Sequence, residues 1–403
     1  MGGARYPTGE GGVCPYPFYE RWRSEQPVHE LPERPGVFVV STFAAIAEVA
    51  RDPARFSSEE SRTSLGFAGH VDTKSTSGKT MIESDPPEHK ARRELCFKPV
   101  SPRRLPEYAP MIERHAEDLI DEFAARGSCE FVSEFAAPLP VRVTCSLLGL
   151  PPEEHARVAG WGQLEGAGFS WLPPERQQLQ LERTTEMGAY LTELIEARHA
   201  EPRDDLISEI IAEHLRVDGE FDIAYLRAQI GALLAGGVIT SAHMLANTLR
   251  LILESDGMVA ELLGSPEQIG VVLEEGMRVE SPVQWTPRLC REDTVLEGTE
   301  IPAGSHVLLM WGSANRDGDH FADPTAFDPH REDLRRHMAF GLGPHFCLGA
   351  PLARLEGRIA LERLFGRLPS LRLRPGQDFE PIASVAFRGL QSLDLEFDPA
   401  PSA

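Results

Sequence analysis

Phe340-Gly-Leu-Gly-Pro-His-Phe-Cys-Leu-Gly-Ala-Pro-Leu-Ala-Arg354 decides how the rest of the chain is read. A glycine-rich run leads to one cysteine, Cys347, and a helix begins just beyond it. Pro351 suits a first helical turn, where its missing N–H has no partner to lose. From Leu352 onward, Leu352, Leu355, Ile359, Leu361 and Phe365 recur at helical spacing. Cys347 is therefore predicted to sit just before a helix N-terminus. The helix dipole and free backbone N–H groups there favour negative charge and should lower the thiol pKa. Gly341, Gly343 and Gly349 are expected to provide positive-φ backbone and to let the chain pass close beneath a flat ligand.

A lone cysteine is ordinarily a small buried hydrophobe, and a lone glycine-rich loop is ordinarily a turn. The combination F-G-x-G-x-H-x-C-x-G is far rarer than either. A deprotonated sulfur beneath a planar macrocycle is the proximal ligand of a haem-thiolate iron, where it donates electron density and favours O–O cleavage. The motif, with Phe340, His345, Cys347 and Gly349 in place, resembles the haem-binding loop of the cytochrome P450 family. The resemblance runs from roughly residue 26 to 397. It implies a mainly α fold with smaller β-sheets, the cytochrome P450 fold, as a single domain spanning 1–403.

Composition bounds the partners. The chain has 403 residues, 41% of them hydrophobic, and a formal net charge of -22. Such acidity argues against nucleic acid, whose phosphates want a basic surface. The six cysteines show no C-x-x-C pair and read as reduced thiols of a cytoplasmic protein. The polar start MGGARYPTGEGG carries no signal-peptide pattern. The longest strongly apolar run, Ile230 to Ile239, falls short of the ~20 residues a bilayer span needs. No membrane association is expected.

In chain order, residues 1–25 are Gly/Pro-rich and are expected to wrap the surface. Residues 28–31 and 36–41 read as a hairpin, and 42–51 as a short helix. Residues 57–80 read as a mobile loop. The resemblance puts such a loop over the substrate pocket. His89 and Arg93 lie four apart on one helix face. That spacing alone suits a solvated basic face, but D-P-P-E-H-x-x-x-R matches the family segment that donates to a haem propionate. Positions 90–104 carry six basic residues against Glu94, a candidate docking patch for an acidic protein. Residues 106–160 read as helices broken by Pro138-Leu-Pro140 and Pro151-Pro152. The segment with Trp161, Phe169 and Trp171 suits either a lid over an apolar substrate or ordinary packing.

Phe221 to Leu253 is strongly apolar and should be a buried central helix. Paired glycines inside it cost about 1 kcal/mol each relative to alanine, so something should press close to the backbone there. Gly236-Gly-Val-Ile-Thr240 is similar to the family's kinked [AG]-G-x-[DE]-T segment over the distal haem face, whose acid–alcohol pair manages protons. Thr240 keeps the alcohol, but Ile239 replaces the acid. Glu275, Arg278 and Arg331 match the family's E-x-x-R pair and the arginine that completes its ion network, a structural lock. Arg288 and His345 match two further propionate contacts. Residues 384–388 should form a turn that enters the pocket.

The resemblance thus implies a haem-thiolate monooxygenase. Cys347 would ligate the iron of haem b, with His89, Arg93, Gly236, Arg288, Phe340, His345 and Gly349 around the cofactor and Thr240 catalytic. Its small-molecule substrate would be largely apolar or aromatic, and the reaction a tailoring step such as hydroxylation. Electrons would come from NAD(P)H through ferredoxin reductase and ferredoxin. Two rivals stand beside it: a haem enzyme that couples, cyclises or uses peroxide, and a haem-binding sensor that does not turn over.

Overall fold

The computed structural model describes residues 14–59, 61, 79–162 and 174–399. The helices, in chain order, are α1 (Tyr16–Glu25), α2 (Phe43–Arg51), α3 (Glu88–Val100), α4 (Leu105–Asp121), α5 (Pro138–Leu147), α6 (His155–Gly162) and α7 (Pro174–Ala200). They continue with α8 (Leu206–Asp218), α9 (Ile223–Glu254), α10 (Met258–Gly264), α11 (Ile269–Val279), α12 (Trp311–Ala314) and α13 (Ala350–Arg367). The strands are short: β1 (Val28–Glu30), β2 (Val37–Val40), β3 (Phe56–Ser57), β4 (Ser128–Glu130) and β5 (Thr286–Cys290), then β6 (Thr294–Leu296), β7 (Thr299–Ile301), β8 (His306–Leu309), β9 (Arg372–Leu373) and β10 (Asp394–Glu396). The mainly α architecture with small sheets is as expected.

The expected first hairpin is present, with Val28 opposite Val40. It extends into a sheet of order β1-β2-β8-β5-β3, in which only β2 and β8 run parallel. Thr42 caps α2, its hydroxyl accepting from the Ala45 N–H. The N-terminal stretch differs from expectation. Residues 16–25 are a helix whose Tyr19 and Trp22 are buried in the sheet's core rather than wrapped over the surface. The expected break at Pro138 is present: a π-helical turn, Val132–Ala136, ends just before it, and Pro138 and Pro140 open α5, because a first turn has N–H groups to spare.

The helical core gathers around α9. Ile112 and Leu119 of α4, Leu139 and Val143 of α5, Met244 and Leu249 of α9, Leu273 of α11 and Ile359 and Leu364 of α13 form one buried cluster. Asp222 caps α9 by accepting from the Tyr225 N–H at 3.0 Å. By length and composition α9 could cross a bilayer, but here it packs against α5, α7, α11 and α13. Close packing of α13 needs Gly357, since a Cβ there would lie 2.7 Å from Leu273 Cδ2.

One buried carboxylate joins distant segments. Glu280, just past α11, accepts from Tyr16 Oη at 2.6 Å and from Arg388 Nε at 3.1 Å. It also pairs with Arg250 of α9 at 3.2 Å and Arg316 at 3.5 Å. Although burial pushes its pKa up, these cations outweigh it and hold the carboxyl below the usual range.

Candidate active site

The cysteine loop folds by backbone bonds and two glycines. The Cys347 N–H donates to the Phe340 carbonyl at 2.8 Å, and the Gly341 N–H to Met338 at 2.9 Å. Gly341 and Gly343 have φ of 73° and 74°, as the sequence suggested. A Cβ on Gly343 would run into the Ala50 carbonyl oxygen at the end of α2. Gly349 departs from expectation: with φ of -80° it is an ordinary N-cap of α13, and its lack of a side chain is not needed for positive φ. Helix α13 begins at Ala350, so Cys347 does lie just before a helix N-terminus.

The thiol pKa is a correction to the sequence reading. Burial pushes it up from the ordinary cysteine value. The Gly349 and Ala350 N–H groups, Arg93 and Arg354 pull it down, as a helix N-terminus should, but burial wins. Cys347 nevertheless remains accessible to solvent. A metal ion coordinated here would deprotonate the sulfur outright, and the same donors would then stabilise the thiolate.

His89, Arg93, Arg288 and His345 converge beside this loop. The His89 and His345 rings lie 4.2 Å apart. One nitrogen of His345 bonds the Ser84 carbonyl, while its Nε2 is buried without a partner. Burial lowers the His345 pKa to about 2, and Arg288, His89 and Arg93 push it the same way. His89 is lowered by burial and then by Arg93, with Asp85 opposing. Like charges gathered around an orphaned ring nitrogen suit a ligand that brings carboxylates of its own. Haem, with its two propionates, fits this donor set, and Cys347 is the sulfur that could meet its iron.

Helix α9 runs unbroken through its glycine pair. Among the described residues nothing presses on Gly236: an added Cβ would have no other segment within 4 Å, and one on Gly237 would meet only Thr144 Oγ1 at 3.6 Å. Ala235 and Gly236 are exposed in a helix otherwise largely buried. No described residue is the expected close neighbour, which leaves room among them for a flat ring. The Thr240 hydroxyl donates to the Gly236 carbonyl at 2.8 Å. Ile239 lines a cavity of about 730 Å³ that the turn at 382–391 helps to close. That turn forms as expected, with Ser384 Oγ accepting from the Phe387 N–H at 3.1 Å.

The lock is complete. Arg278 donates to both Glu275 oxygens at 2.7 Å and to the Asn315, Pro324 and Ala326 carbonyls. Arg331 Nε donates to Glu275 at 3.0 Å. The docking patch needs correction, because most of its charges are spent within the chain. Arg92 is buried against Ser84 and Tyr225. Arg104 forks onto Glu209, and Lys98 pairs with Glu213 at 3.6 Å. Arg354 forks onto Glu274 at 2.6 and 2.8 Å and lies over the Phe340 ring. Burial pushes Glu274 up, but Arg354 and His337 bring it down to about 2. Sequence reasoning missed this brace beneath the loop, since Glu274 lies 63 and 80 positions from His337 and Arg354. Trp161 is buried against Tyr190, so it packs as core. Phe169, Trp171 and most of the 57–80 loop lie outside the described residues.

The chain belongs to the cytochrome P450 family. The family profile described as Cytochrome P450 matches residues 270–387. The chain is 34% identical to 6-deoxyerythronolide B hydroxylase of Saccharopolyspora erythraea, covering 83% of this chain and 81% of that protein. It is 33% identical to a steroid C26-monooxygenase of Mycobacterium tuberculosis, covering 94% and 93%. Its fold superposes on CYP109E1 of Bacillus megaterium, solved with testosterone, with a TM-score of 0.85, 31% identity, and 95% and 98% of the two chains covered. It is therefore a haem-thiolate oxidoreductase that incorporates oxygen into organic substrates.

Proposed function

We propose that Cys347 ligates the iron of haem b and that His89, Arg93, Arg288 and His345 hold its propionates, within a single domain. The orphaned, buried His345 Nε2 among like charges carries this reading. Phe340 and Gly349 flank the sulfur, and Gly236 leaves the opposite face open. Haem, when bound, supplies the redox iron that activates dioxygen. Arg93 and Arg288 orient the cofactor by its carboxylates. Thr240 Oγ1, parked on the Gly236 carbonyl, is the hydroxyl that holds and passes a proton beside that opening.

The substrate is a small to medium, largely apolar or aromatic molecule, and the reaction is a hydroxylation in specialised metabolism. Relatives named for a macrolide precursor and a steroid support this size and polarity. NAD(P)H, ferredoxin reductase and ferredoxin supply electrons to a cytoplasmic enzyme with no nucleic-acid or membrane partner. Ile239, which cannot carry a proton, favours a second reading: oxidative coupling, cyclisation or peroxide-driven oxidation. The test is the reduced carbon monoxide spectrum of the wild type and Cys347→Ser, followed by a steroid and macrolide panel. Loss of the red-shifted thiolate band in Cys347→Ser, and a product heavier by one oxygen, are expected. Retention of the band in Cys347→Ser overturns the ligand assignment. Product without added oxygen, or turnover on peroxide alone, selects the second reading.

A further inference from the structure

The cavity that Ile239 lines is bounded by α5, α6, α7, α9 and the turn at 382–391. Its volume, about 730 Å³, is that of a ligand pocket rather than a packing void. The arginines of its lining are already engaged: Arg142 donates to Glu122 at 2.7 Å, and Arg176 and Arg183 have partners of their own. Val141, Val238, Ile239, Phe387 and Leu390 supply an apolar wall.

His243 stands in the same lining. It is 7% exposed, and its Nε2 is buried without a partner. It follows Ile239 by four residues and Thr240 by three, so the three share one side of α9. The Nδ1 edge of its ring faces Gly389, where any Cβ would collide with it. The turn therefore clamps the imidazole and leaves Nε2 on its far edge. Burial lowers the pKa to about 4, so near pH 7 the ring is uncharged, with one nitrogen a donor and the other an acceptor. Buried polar groups are nearly always partnered, so Nε2 marks a place completed by something other than the described residues. An uncharged ring offers a carboxylate no counter-charge. It matches a ketone, ester or alcohol, whose oxygen asks for one hydrogen bond.

We propose that His243 is a specificity-determining residue whose Nε2 hydrogen-bonds a neutral oxygen, carbonyl or hydroxyl, of a substrate whose apolar body lies along Val238, Ile239 and Phe387. This deepens the substrate reading above and rests on it in taking this cavity as the substrate's place. Ile239 acquires a reason on this account. A carboxylate at that position, one turn earlier on the same side, could take the His243 N–H for itself. Isoleucine leaves the ring free and continues the apolar wall.

Calorimetric titration of the haem-loaded enzyme with benzylacetone and with butylbenzene tests this, with the haem absorption recorded alongside. The two probes differ by a carbonyl in place of one methylene. His243→Phe keeps a flat ring against Gly389 but has no nitrogen. It should weaken benzylacetone binding about five-fold and butylbenzene binding by less than about two-fold, the size of one neutral hydrogen bond. His243→Gln, which keeps a neutral N–H, should recover most of the loss. Ile239→Glu should abolish the difference between the probes by giving the ring a partner within the chain. The His243 ring-nitrogen NMR signal should move on adding benzylacetone and stay in place with butylbenzene. Equal weakening of both probes in His243→Phe, or no weakening of either, overturns the proposal. So does a ring-nitrogen signal that benzylacetone leaves unmoved, or benzylacetone binding that leaves the haem spectrum unchanged. None of these results touches the haem assignment, which the carbon monoxide spectrum decides.

Discussion

Two clusters of basic side chains, one around Glu275 and one around His345, are finished to different degrees. Around Glu275, the chain supplies both signs: Arg278 and Arg331 meet one carboxylate, and the remaining N–H groups find carbonyls. Around His345, the basic neighbours are Arg288, Arg93 and a His89 ring whose charge burial disfavours, and one nitrogen of His345 is left over. A buried polar atom without a partner is costly, so the His345 Nε2 marks a place where something beyond the described residues completes the group. The first group fixes geometry, and the second is where we propose that the haem propionates sit.

This contrast can be broken most directly by mutation in the haem-free protein. Glu275→Gln strands two buried guanidinium groups and should cost about 3–5 kcal/mol in chemical denaturation. His345→Gln should change the same measurement by less than about 1 kcal/mol while lowering haem retention ten-fold or more. Similar stability losses at both sites would erase the distinction. Glycines sharpen it further. Gly343→Ala needs an alanine at positive φ against the Ala50 carbonyl and should destabilise by about 2 kcal/mol or more. Gly236→Ala meets no other described segment and should gain up to about 1 kcal/mol of helix propensity, seen as a raised midpoint without haem and weaker haem binding.

Helix spacing and glycine–cysteine grammar made the α13 start and the central helix legible, because those signals are local, whereas the lock was legible only through the family resemblance, since Glu275 and Arg331 are 56 positions apart. The thiol pKa was misread because a helix N-terminus is visible in a sequence while the surrounding burial is not. The docking patch failed for a similar reason. Arg104 and Glu209 are 105 positions apart, so neutralisation could not be seen from residues 90–104 alone. The cavity was invisible because its lining comes from four helices and a turn that lie far apart in the chain.

Smaller effects separate the cavity from the cysteine side. The folded pKa of His243, about 4, lies below that of a free histidine. Unfolding therefore takes up a proton between pH 6.5 and about 4, and stability falls by about 1.4 kcal/mol per unit as the pH drops through that window. His243→Gln should flatten this slope in urea titrations at several pH values. An unchanged slope would assign it to other groups. Ile239→Glu should alter product formed per NAD(P)H by less than about ten-fold on an apolar probe, and upward. No change would leave Thr240 and water as a sufficient proton route.

Glu280 has a consequence for cooperativity. Its four partners belong to the first described helix, the central helix, the stretch after α12 and the turn that closes the cavity. Residues 16 and 388 therefore share one counter-ion although 372 positions separate them, the difference between 388 and 16. Segments tied to a single buried charge cannot open one at a time without stranding it, so they form one unfolding unit. Amide hydrogens of α1 and of the turn at 382–391 should exchange at matching rates, and Glu280→Gln should release both together.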